Sequence, residues 1–359
     1  MTTFRFPKRR PGRPSREDAA EYDAAVEHLV AAILEMRSSV DFDVSARGWG
    51  YLLEGDNIID KGDLDAAEAA INDCRKDGRL PFDICAVDQS RAFECVEEID
   101  YGTYQDHAAR IAQQALEAHS YYHPYSFWWF QPKYYLQSVV EKIDLKSLFN
   151  PVSAKYHLPI ANGKGWSDMN MRAAMMRRFQ KANENGKTGV LLYCGDFDVV
   201  GLQIPEHLRD NMRDLSKAIG WDPGGEPGAK DEGLLPNGQP KLIIDRFGLI
   251  YDFIEANGLT WIDNLITGSG RDLADPRNPD HWKAPVQAYI KKYGVRKVEA
   301  NALVKRPEEG RALYEQAILK YVDEEAIEHF RECTEMQRRK VENLVRKLMS
   351  EVKWEADEE

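Results

Sequence analysis

Residues 189–201 read Gly-Val-Leu-Leu-Tyr-Cys-Gly-Asp-Phe-Asp-Val-Val-Gly, an apolar run that ends in two acids one residue apart. The apolar part is typical of a buried strand, and the spacing of residues 202–219 predicts a helix after it. Side chains two positions apart on a strand share a face, so Asp196 and Asp198 can converge where the strand ends. Open α/β sheets usually bind their ligands there. Converging carboxylates need a proton or a cation, and oxygen ligands favour Mg²⁺; a solvated strand end is the other interpretation.

A third acid follows an earlier strand pattern. Residues 134–142 are rich in β-forming residues and end in Glu141 and Lys142, just before a helical pattern. Residues 157–165 predict another strand with a glycine turn, and residues 168–183 another helix. This order of strand, helix, strand, helix and strand predicts an α/β domain with a parallel sheet. Glu141 therefore joins the two aspartates as a candidate metal ligand.

This arrangement resembles the Toprim domain, in which a Glu and an Asp-x-Asp hold Mg²⁺ for breaking and joining phosphodiesters. Within that superfamily it is most similar to the A subunit of topoisomerase VI and its meiotic double-strand-break relatives. The resemblance is carried by Val140-Glu141-Lys142, by Gly163-Lys164-Gly165 with Asp168 and Arg172, and by Asp196-Phe197-Asp198 with Gly201. The family often has Pro at the position of Val199 and Pro or Ser at that of Val200, so the turn is a variant. The resemblance implies Mg²⁺ on Glu141, Asp196 and Asp198, with Mn²⁺ as a substitute, and DNA contacts from Lys164 and Arg172.

The N-terminal half predicts three helices and a small hairpin. Helical patterns cover residues 17–36, about 45–54 and 64–75, and residues 79–88 read as a short β-wing. Three helices with such a hairpin suggest a helix-turn-helix or winged-helix DNA-binding fold. The family that this chain resembles carries a winged helix before its Toprim domain.

One tyrosine in this half is the candidate nucleophile. The family has an Arg four positions before its nucleophilic Tyr, and Arg47-Gly48-Trp49-Gly50-Tyr51 has that spacing. On one helical face, the guanidinium of Arg47 could hold the scissile phosphate and favour the phenolate of Tyr51. The family frequently has an aromatic residue where this chain has Gly50. The alternative is that Tyr51 packs in the core of the domain.

The charge of the chain is unevenly distributed. The net charge is −12, which argues against nucleic acid as a partner. Residues 1–16, however, carry no acid and six basic residues: Arg5, Lys8, Arg9, Arg10, Arg13 and Arg16. A basic arm of this kind contacts phosphates, and residues 8–14 are similar to an AT-hook. Lys8, Arg9, Arg10 and Arg13 are thus candidate DNA-binding residues, and a solvated tail is the other interpretation.

Composition points away from membranes and from disulfide scaffolds. No apolar run approaches the ~18–20 residues needed to cross a bilayer, and no signal-peptide segment follows the basic start. The five cysteines include no Cys-x-x-Cys pair and suit a reducing compartment. We therefore expect a cytoplasmic protein, associated with the nucleoid if it is prokaryotic or phage-encoded.

The predicted protein is α/β, with an N-terminal winged-helix domain, a Toprim domain with a parallel sheet and a C-terminal helix. The predicted boundaries are a basic arm (1–16), the winged-helix domain (17–120), an aromatic junction (121–133), the Toprim domain (134–321) and a helix with an acidic tail (322–359). Aromatic-rich residues 119–135 favour an interdomain core over base stacking. Residues 296–303 are similar to the family's Glu-Leu-Asp-Ala-Leu element, but Asn301 replaces the Asp, so no metal role is expected for it. A narrow apolar stripe on the last helix suggests packing on the body or on a second protomer.

The resemblance implies a type IIB topoisomerase-like enzyme. It would cleave and rejoin double-stranded DNA by Mg²⁺-dependent transesterification through Tyr51, leaving a 5′-phosphotyrosyl link at a double-strand break. Family members act as homodimers in which the Tyr of one protomer meets the metal site of the other. The chain has no Gly-rich ATP-binding signature, so any ATPase would be a separate subunit. The alternatives are a Toprim nuclease that hydrolyses DNA with activated water, as in some defence systems, and a non-catalytic DNA-binding relative.

Overall fold

The computed structural model describes residues 15–86, 102–163, 168–226, 228 and 233–351. Within these described residues there are four strands: β1 Tyr134–Val140, β2 Ile160–Asn162, β3 Thr188–Cys194 and β4 Leu242–Arg246. The helices are α1 Arg16–Arg37, α2 Ala46–Gly55, α3 Leu64–Lys76, α4 Tyr104–Glu117, α5 Phe127–Phe130, α6 Ile143–Lys155, α7 Met169–Glu184, α8 Ile204–Arg213, α9 Ser216–Ile219, α10 Tyr251–Ala256, α11 Ala284–Tyr293, α12 Pro307–Leu319 and α13 Glu324–Glu351.

The four strands form one parallel sheet in the order β2-β1-β3-β4. The predicted parallel α/β sheet is therefore confirmed. The chain passes from β1 outward to β2 and then returns to add β3 and β4 on the other side of β1. The two strands at this reversal, β1 and β3, are the central pair, and their carboxyl ends flank the crevice where such sheets bind ligands.

Apolar side chains cover both faces of the sheet. Strand β3 is buried along its whole length, as expected for a central strand of a parallel sheet. On one face Met176 and Phe179 of α7 and Met212 of α8 pack against it. Aromatic rings form a second layer: the centroids of Phe149 and Tyr314 lie 4.8 Å apart, and those of Phe247 and Tyr314 lie 4.9 Å apart. This packing on both faces holds the strands in place and therefore fixes the positions of their ends.

The chain forms two compact units, and they divide it differently from the predicted domains. The first comprises the described residues of Met1–Val87 and Tyr134–Lys320, so the N-terminal helices pack in the same unit as the sheet. The second comprises the described residues of Asp88–Lys133 and Tyr321–Glu359. The aromatic segment therefore packs with the C-terminal helix: Phe127 and Phe130 lie edge-on to Phe330 of α13, at 5.4 and 5.6 Å between centroids.

The predicted β-wing is wrong for residues 79–86. These residues contain a 3-10 turn at Phe82–Ile84 in place of a strand. The N–H of Ile84 donates to the carbonyl of Pro81 (3.1 Å), and the indole of Trp49 donates to the carbonyl of Ile84 (2.8 Å). Backbone groups that a hairpin would pair are thus used by the turn and by α2. Residues 87 and 88 lie outside the described residues.

Two other predicted helices differ in extent. The pattern over residues 202–219 forms two helices, α8 and α9, because the chain turns at 214–215. The C-terminal helix α13 is present, but Leu344 and Leu348 of its apolar stripe are exposed. Within the second unit, these two leucines therefore do not make the packing contacts that were predicted for the stripe.

The glycines around the candidate tyrosine allow α2 to pack closely. A Cβ on Gly48 would lie 2.3 Å from Oδ2 of the buried Asp144, and one on Gly50 would lie 3.1 Å from Leu64. Asp144 also accepts the N–H of Ser45 at 2.8 Å, so α2 is joined to α6. The absence of an aromatic residue at position 50 thus has a packing reason.

Gly48→Ala is expected to destabilise the protein by about 1–3 kcal/mol, because the new methyl group overpacks the contact between α2 and α6. The intrinsic helix preference of Ala, about 1 kcal/mol, opposes this but does not overcome a clash with a buried, hydrogen-bonded carboxyl. Urea unfolding measures the difference. Gly62→Ala is the control, since its Cβ would meet nothing within 4 Å; equal stability of the two variants would contradict the packing argument.

An ion pair joins the segment after α1 to α12. Arg311 donates to both carboxylate oxygens of Asp41, at 2.7 and 2.8 Å. The hydrogen bonds from Arg311 lower the pKa of Asp41 below its usual value. A lowered folded-state pKa contributes stability above the unfolded pKa, and that stability is lost as the pH falls through the folded pKa.

Asp41→Asn is accordingly expected to cost about 0.5–1 kcal/mol near neutral pH, a small value because the carboxylate is 58% exposed. The difference from the unmodified protein should vanish once the pH is below the lowered pKa. Urea unfolding at neutral and acid pH checks this. Asp43→Asn serves as the control, and a cost for Asp41→Asn that persists in acid would rule out the ion pair as its cause.

Candidate functional site

The candidate site begins where β1 and β3 end. Glu141 follows β1 directly, and its carboxylate accepts the backbone N–H of Asp196 at 3.0 Å and the hydroxyl of Tyr193 at 3.3 Å. A Cβ on Gly195 would lie 2.5 Å from the same carboxylate, so only glycine fits between the two strand ends. The sheet topology therefore brings together Glu141 and Asp196, as predicted for acids at neighbouring carboxyl ends.

Asp196 is the most enclosed of the three predicted acids. Its Oδ1 accepts the backbone N–H of Ala300 at 2.7 Å, and its Oδ2 lies 3.1 Å from Nζ of Lys142. Burial raises its pKa well above the ordinary value, and the negative charges of Glu299, Glu141 and Asp198 act in the same direction. A carboxylate in such surroundings requires a cation close by if it is to stay ionised.

The chain supplies cations to this cluster. Nζ of Lys142 lies 2.6 Å from one oxygen of Glu299, and Nζ of Lys297 lies 3.3 Å from the other. Burial alone would lower the pKa of Lys142, but the charges of Asp196, Glu299 and Glu141 raise it well above its ordinary value. We call Glu141, Lys142, Asp196, Lys297 and Glu299 the carboxylate–lysine cluster.

Asp198 lies in the turn beside this cluster. Its Oδ1 accepts the N–H of Gly201 at 2.6 Å. The turn is held by Arg246 at the end of β4, which donates to the carbonyls of Asp196 and Gly201, each at 2.9 Å. A Cβ on Gly201 would lie 2.1 Å from the carbonyl oxygen of Asp196, so this turn requires glycine there. Asp198 is half-buried, and its charge is near enough to raise the pKa of Asp196.

Tyr51 lies against the cluster within the same unit. Nζ of Lys142 is 4.1 Å from the centre of the Tyr51 ring, a cation–π distance. Arg47 and Tyr51 lie on the same helix, α2, one turn apart, with the guanidinium carbon 5.9 Å from the ring centre. The predicted pairing of Arg47 with Tyr51 on one helical face is thus present in the fold. Lys142 connects the tyrosine to the buried acids in a single chain.

Arg47 has acidic partners of its own. Its Nη1 lies 2.5 Å from Asp65 and 3.6 Å from Glu68 on α3. The hydrogen bond to Asp65, and next the one to Tyr51, raise the pKa of Arg47 above its usual range. The Asp65 side chain is 90% exposed, so the ion pair can open to solvent and Arg47 can exchange it for another anion.

A small pocket opens beside Tyr51. It has a volume of about 110 Å³ and lies between α2, the loop at residues 258–262 and the 3-10 helix at residues 300–305. Its polar lining includes Tyr51, Asp56, Glu299, Lys305 and Arg306. Lys305 is paired with Asp56, and burial lowers the pKa of this lysine. The pocket therefore opens beside the face of α2 that carries Tyr51, and both acidic and basic side chains line it.

Of the predicted DNA-binding residues, only Arg172 is among the residues that the structure describes. Lys8, Arg9, Arg10, Arg13 and Lys164 lie outside the described residues. Arg172 is buried on α7, and its guanidinium donates to the carbonyl of Asn211 at 2.7 Å. It is therefore turned into the protein, between α7 and α8, and we do not retain it as a DNA contact.

Sequence reasoning did not assign three members of the cluster: Lys142, Lys297 and Glu299. Lys142 adjoins Glu141, so its proximity to the acids was readable from the chain. Glu299 is 157 residues further on. The sequence signal for Glu299 is its place at the start of residues 299–303, which are similar to the Glu-Leu-Asp-Ala-Leu element described above.

The donor set suits a hard cation. Glu141, Asp196 and Asp198 offer only carboxylate oxygens, which Mg²⁺ and Mn²⁺ prefer. The negative charges of Glu141 and Asp198 are close enough to help raise the pKa of Asp196. In the arrangement described, no group of three or more His, Cys, Asp or Glu side chains in the described residues is spaced to hold a metal ion. A metal would thus need the carboxylates to turn toward it.

The fold and this cluster define the class: an α/β protein with a four-stranded parallel sheet and an acidic site at the carboxyl ends of its central strands. Comparisons with protein-family models, curated proteins and solved structures found no match for the chain. Among the described residues, no helix is both long enough and apolar enough to span a bilayer.

Proposed function

We propose that this protein cleaves and rejoins double-stranded DNA by transesterification, with Tyr51 as the nucleophile and a divalent metal ion held by Glu141, Asp196 and Asp198. The observation that carries the proposal is that Lys142 links Tyr51 to the acids. Its Nζ lies 4.1 Å from the centre of the Tyr51 ring and 3.1 Å from Oδ2 of Asp196. Tyr51 is half-buried and borders the pocket beside α2, so its side chain is not enclosed in the core.

In the proposed reaction the phenolic oxygen of Tyr51 bonds to phosphorus and the bond to the 3′ oxygen breaks. The leaving strand gains the proton that the phenol loses, so the link is a 5′-phosphotyrosyl ester that can be reversed without an energy source. Arg47 would exchange Asp65 for the scissile phosphate and hold it near the phenol. The metal ion, when bound, would stabilise negative charge on the phosphate oxygens.

The same geometry bears on assembly. The resemblance implied that the Tyr of one protomer meets the metal site of the other, whereas here Tyr51 lies beside the cluster of its own chain. We propose that each chain carries a whole site, and that a double-strand break requires two copies, one per strand. An ATPase, if strand passage needs one, would be a separate subunit. A DNA substrate would place the protein at the nucleoid in a prokaryotic or phage-infected cell.

Cleavage of supercoiled plasmid tests this function. Reactions with Mg²⁺ or Mn²⁺ are stopped with detergent and analysed with and without protease. We expect broken DNA whose ends carry protein until protease removes it. Broken DNA with free ends would instead support the hydrolytic nuclease, and intact DNA under all conditions would leave a non-catalytic DNA-binding protein.

A further inference from the structure

Lys142 lies where a cation bound to the acids would also lie. Its side chain is only 13% exposed, and its ammonium contacts Asp196 at 3.1 Å and Glu299 at 2.6 Å. The other oxygen of Asp196 already accepts the N–H of Ala300. The Oδ2 side is thus the one left for a metal ion, and the ammonium lies on that side.

We propose that Lys142 is the resident counter-ion of this site, and that a divalent metal ion must move its ammonium away from Asp196 in order to bind. Lys142 thereby sets the metal affinity of the site. This inference rests on the metal part of the proposed function and not on the tyrosine. Its physical basis is that an ammonium and a divalent ion at one carboxylate repel each other strongly, because little water lies between them to screen the charges.

The lysine has somewhere to go. Its four-carbon stem is flexible, and the ammonium keeps Glu299 and the Tyr51 ring as neighbours once it leaves Asp196. Metal binding at the acids is then linked to the position of a positive charge beside Tyr51. The site would therefore couple the loading of metal to the environment of the nucleophile, using residues of one chain.

Isothermal titration of the DNA-free protein with MnCl₂ tests the inference. Lys142→Met keeps most of the side-chain volume and removes the charge; we expect it to bind Mn²⁺ at least about tenfold more tightly than the unmodified protein, since one competing charge at close range is lost. Lys146→Met, one turn further along α6, removes a lysine outside the cluster and is expected to leave the affinity unchanged.

Equal or weaker binding by Lys142→Met would overturn the inference and leave the metal part of the proposed function intact. Absence of Mn²⁺ binding by both proteins would overturn both. Because Lys142→Met leaves buried acids without their ammonium, it could fail to fold. Glu299→Gln and the double variant Lys142→Met/Glu299→Gln then carry the same comparison, with tighter binding expected in the double variant.

Discussion

Tyr51→Phe is expected to lower the yield of protein-linked DNA by more than about 10³-fold, to the limit of detection, because it removes the only atom that forms the proposed phosphotyrosyl bond. Phe keeps the ring, and therefore keeps the face on which the ammonium of Lys142 lies at 4.1 Å. The fold and the affinity for DNA should change little. The measurement is plasmid cleavage stopped by detergent, with the adduct counted before and after protease.

The matched control is Tyr104→Phe. Tyr104 is 79% exposed on α4, in the other compact unit, so the loss of its hydroxyl should leave the yield of adduct unchanged. Cleavage that continues in Tyr51→Phe with free DNA ends would contradict the role of the tyrosine and favour hydrolysis by water. Adduct that persists in Tyr51→Phe would mean that another side chain is the nucleophile.

Asp196→Asn is expected to reduce cleavage by on the order of 10²–10³-fold or more, whether the nucleophile is the tyrosine or water, since charge stabilisation at the phosphate is lost in both cases. Asn keeps the shape of the side chain, and its oxygen can still accept the N–H of Ala300. DNA binding, measured by fluorescence anisotropy with a labelled duplex, should be retained.

Asp210→Asn is the control for this variant, because Asp210 is 70% exposed on α8 and lies outside the cluster. Both proteins lose one negative charge, so a general electrostatic effect on DNA binding would appear in both. Full cleavage by Asp196→Asn would exclude the carboxylate–lysine cluster as the catalytic centre. Loss of cleavage in both variants would point to an effect of net charge and not of the site.

The parts of the site that follow strand ends could be predicted from the sequence. An apolar run such as that of β3 has few alternatives to a buried strand, and the parallel order then places Glu141 and Asp196 at one edge. The spacing of Arg47 and Tyr51 was enough to place them on one face of a helix. The local sequence pattern was enough to predict both pairs, because Arg47 and Tyr51 lie in one helix and Glu141 and Asp196 follow paired strands.

The remainder depends on long-range packing, which no local pattern records. Residues 79–86 have strand-forming composition, yet the indole of Trp49 on α2 takes the carbonyl of Ile84 and a 3-10 turn forms. From the sequence, a basic residue on a helix can face either DNA or the protein interior. Arg172 faces the interior, where it donates a hydrogen bond to the carbonyl of Asn211 on α8. Glu299 follows Val298, which pairs with Phe197 in the turn after β3, and this long-range pairing brings Glu299 close to Lys142.

The packing of the N-terminal helices also changes the interpretation of the tyrosine. As a separate domain, that region would leave Tyr51 to find its acids on another protomer. With α2 packed on α6 through Ser45 and Asp144, the tyrosine and Lys142 are neighbours in one unit. The proposed site therefore lies within a single chain.

The most direct measurement is mass spectrometry of the protein–DNA adduct. Protein is trapped on cleaved DNA with detergent, the DNA is trimmed with nuclease, and the tryptic peptides are searched for a residual nucleotide. We expect the peptide that carries Tyr51 to gain the mass of a nucleotide joined through its 5′ phosphate. A nucleotide on any other residue, or cleaved DNA without a modified peptide, would contradict the proposed chemistry.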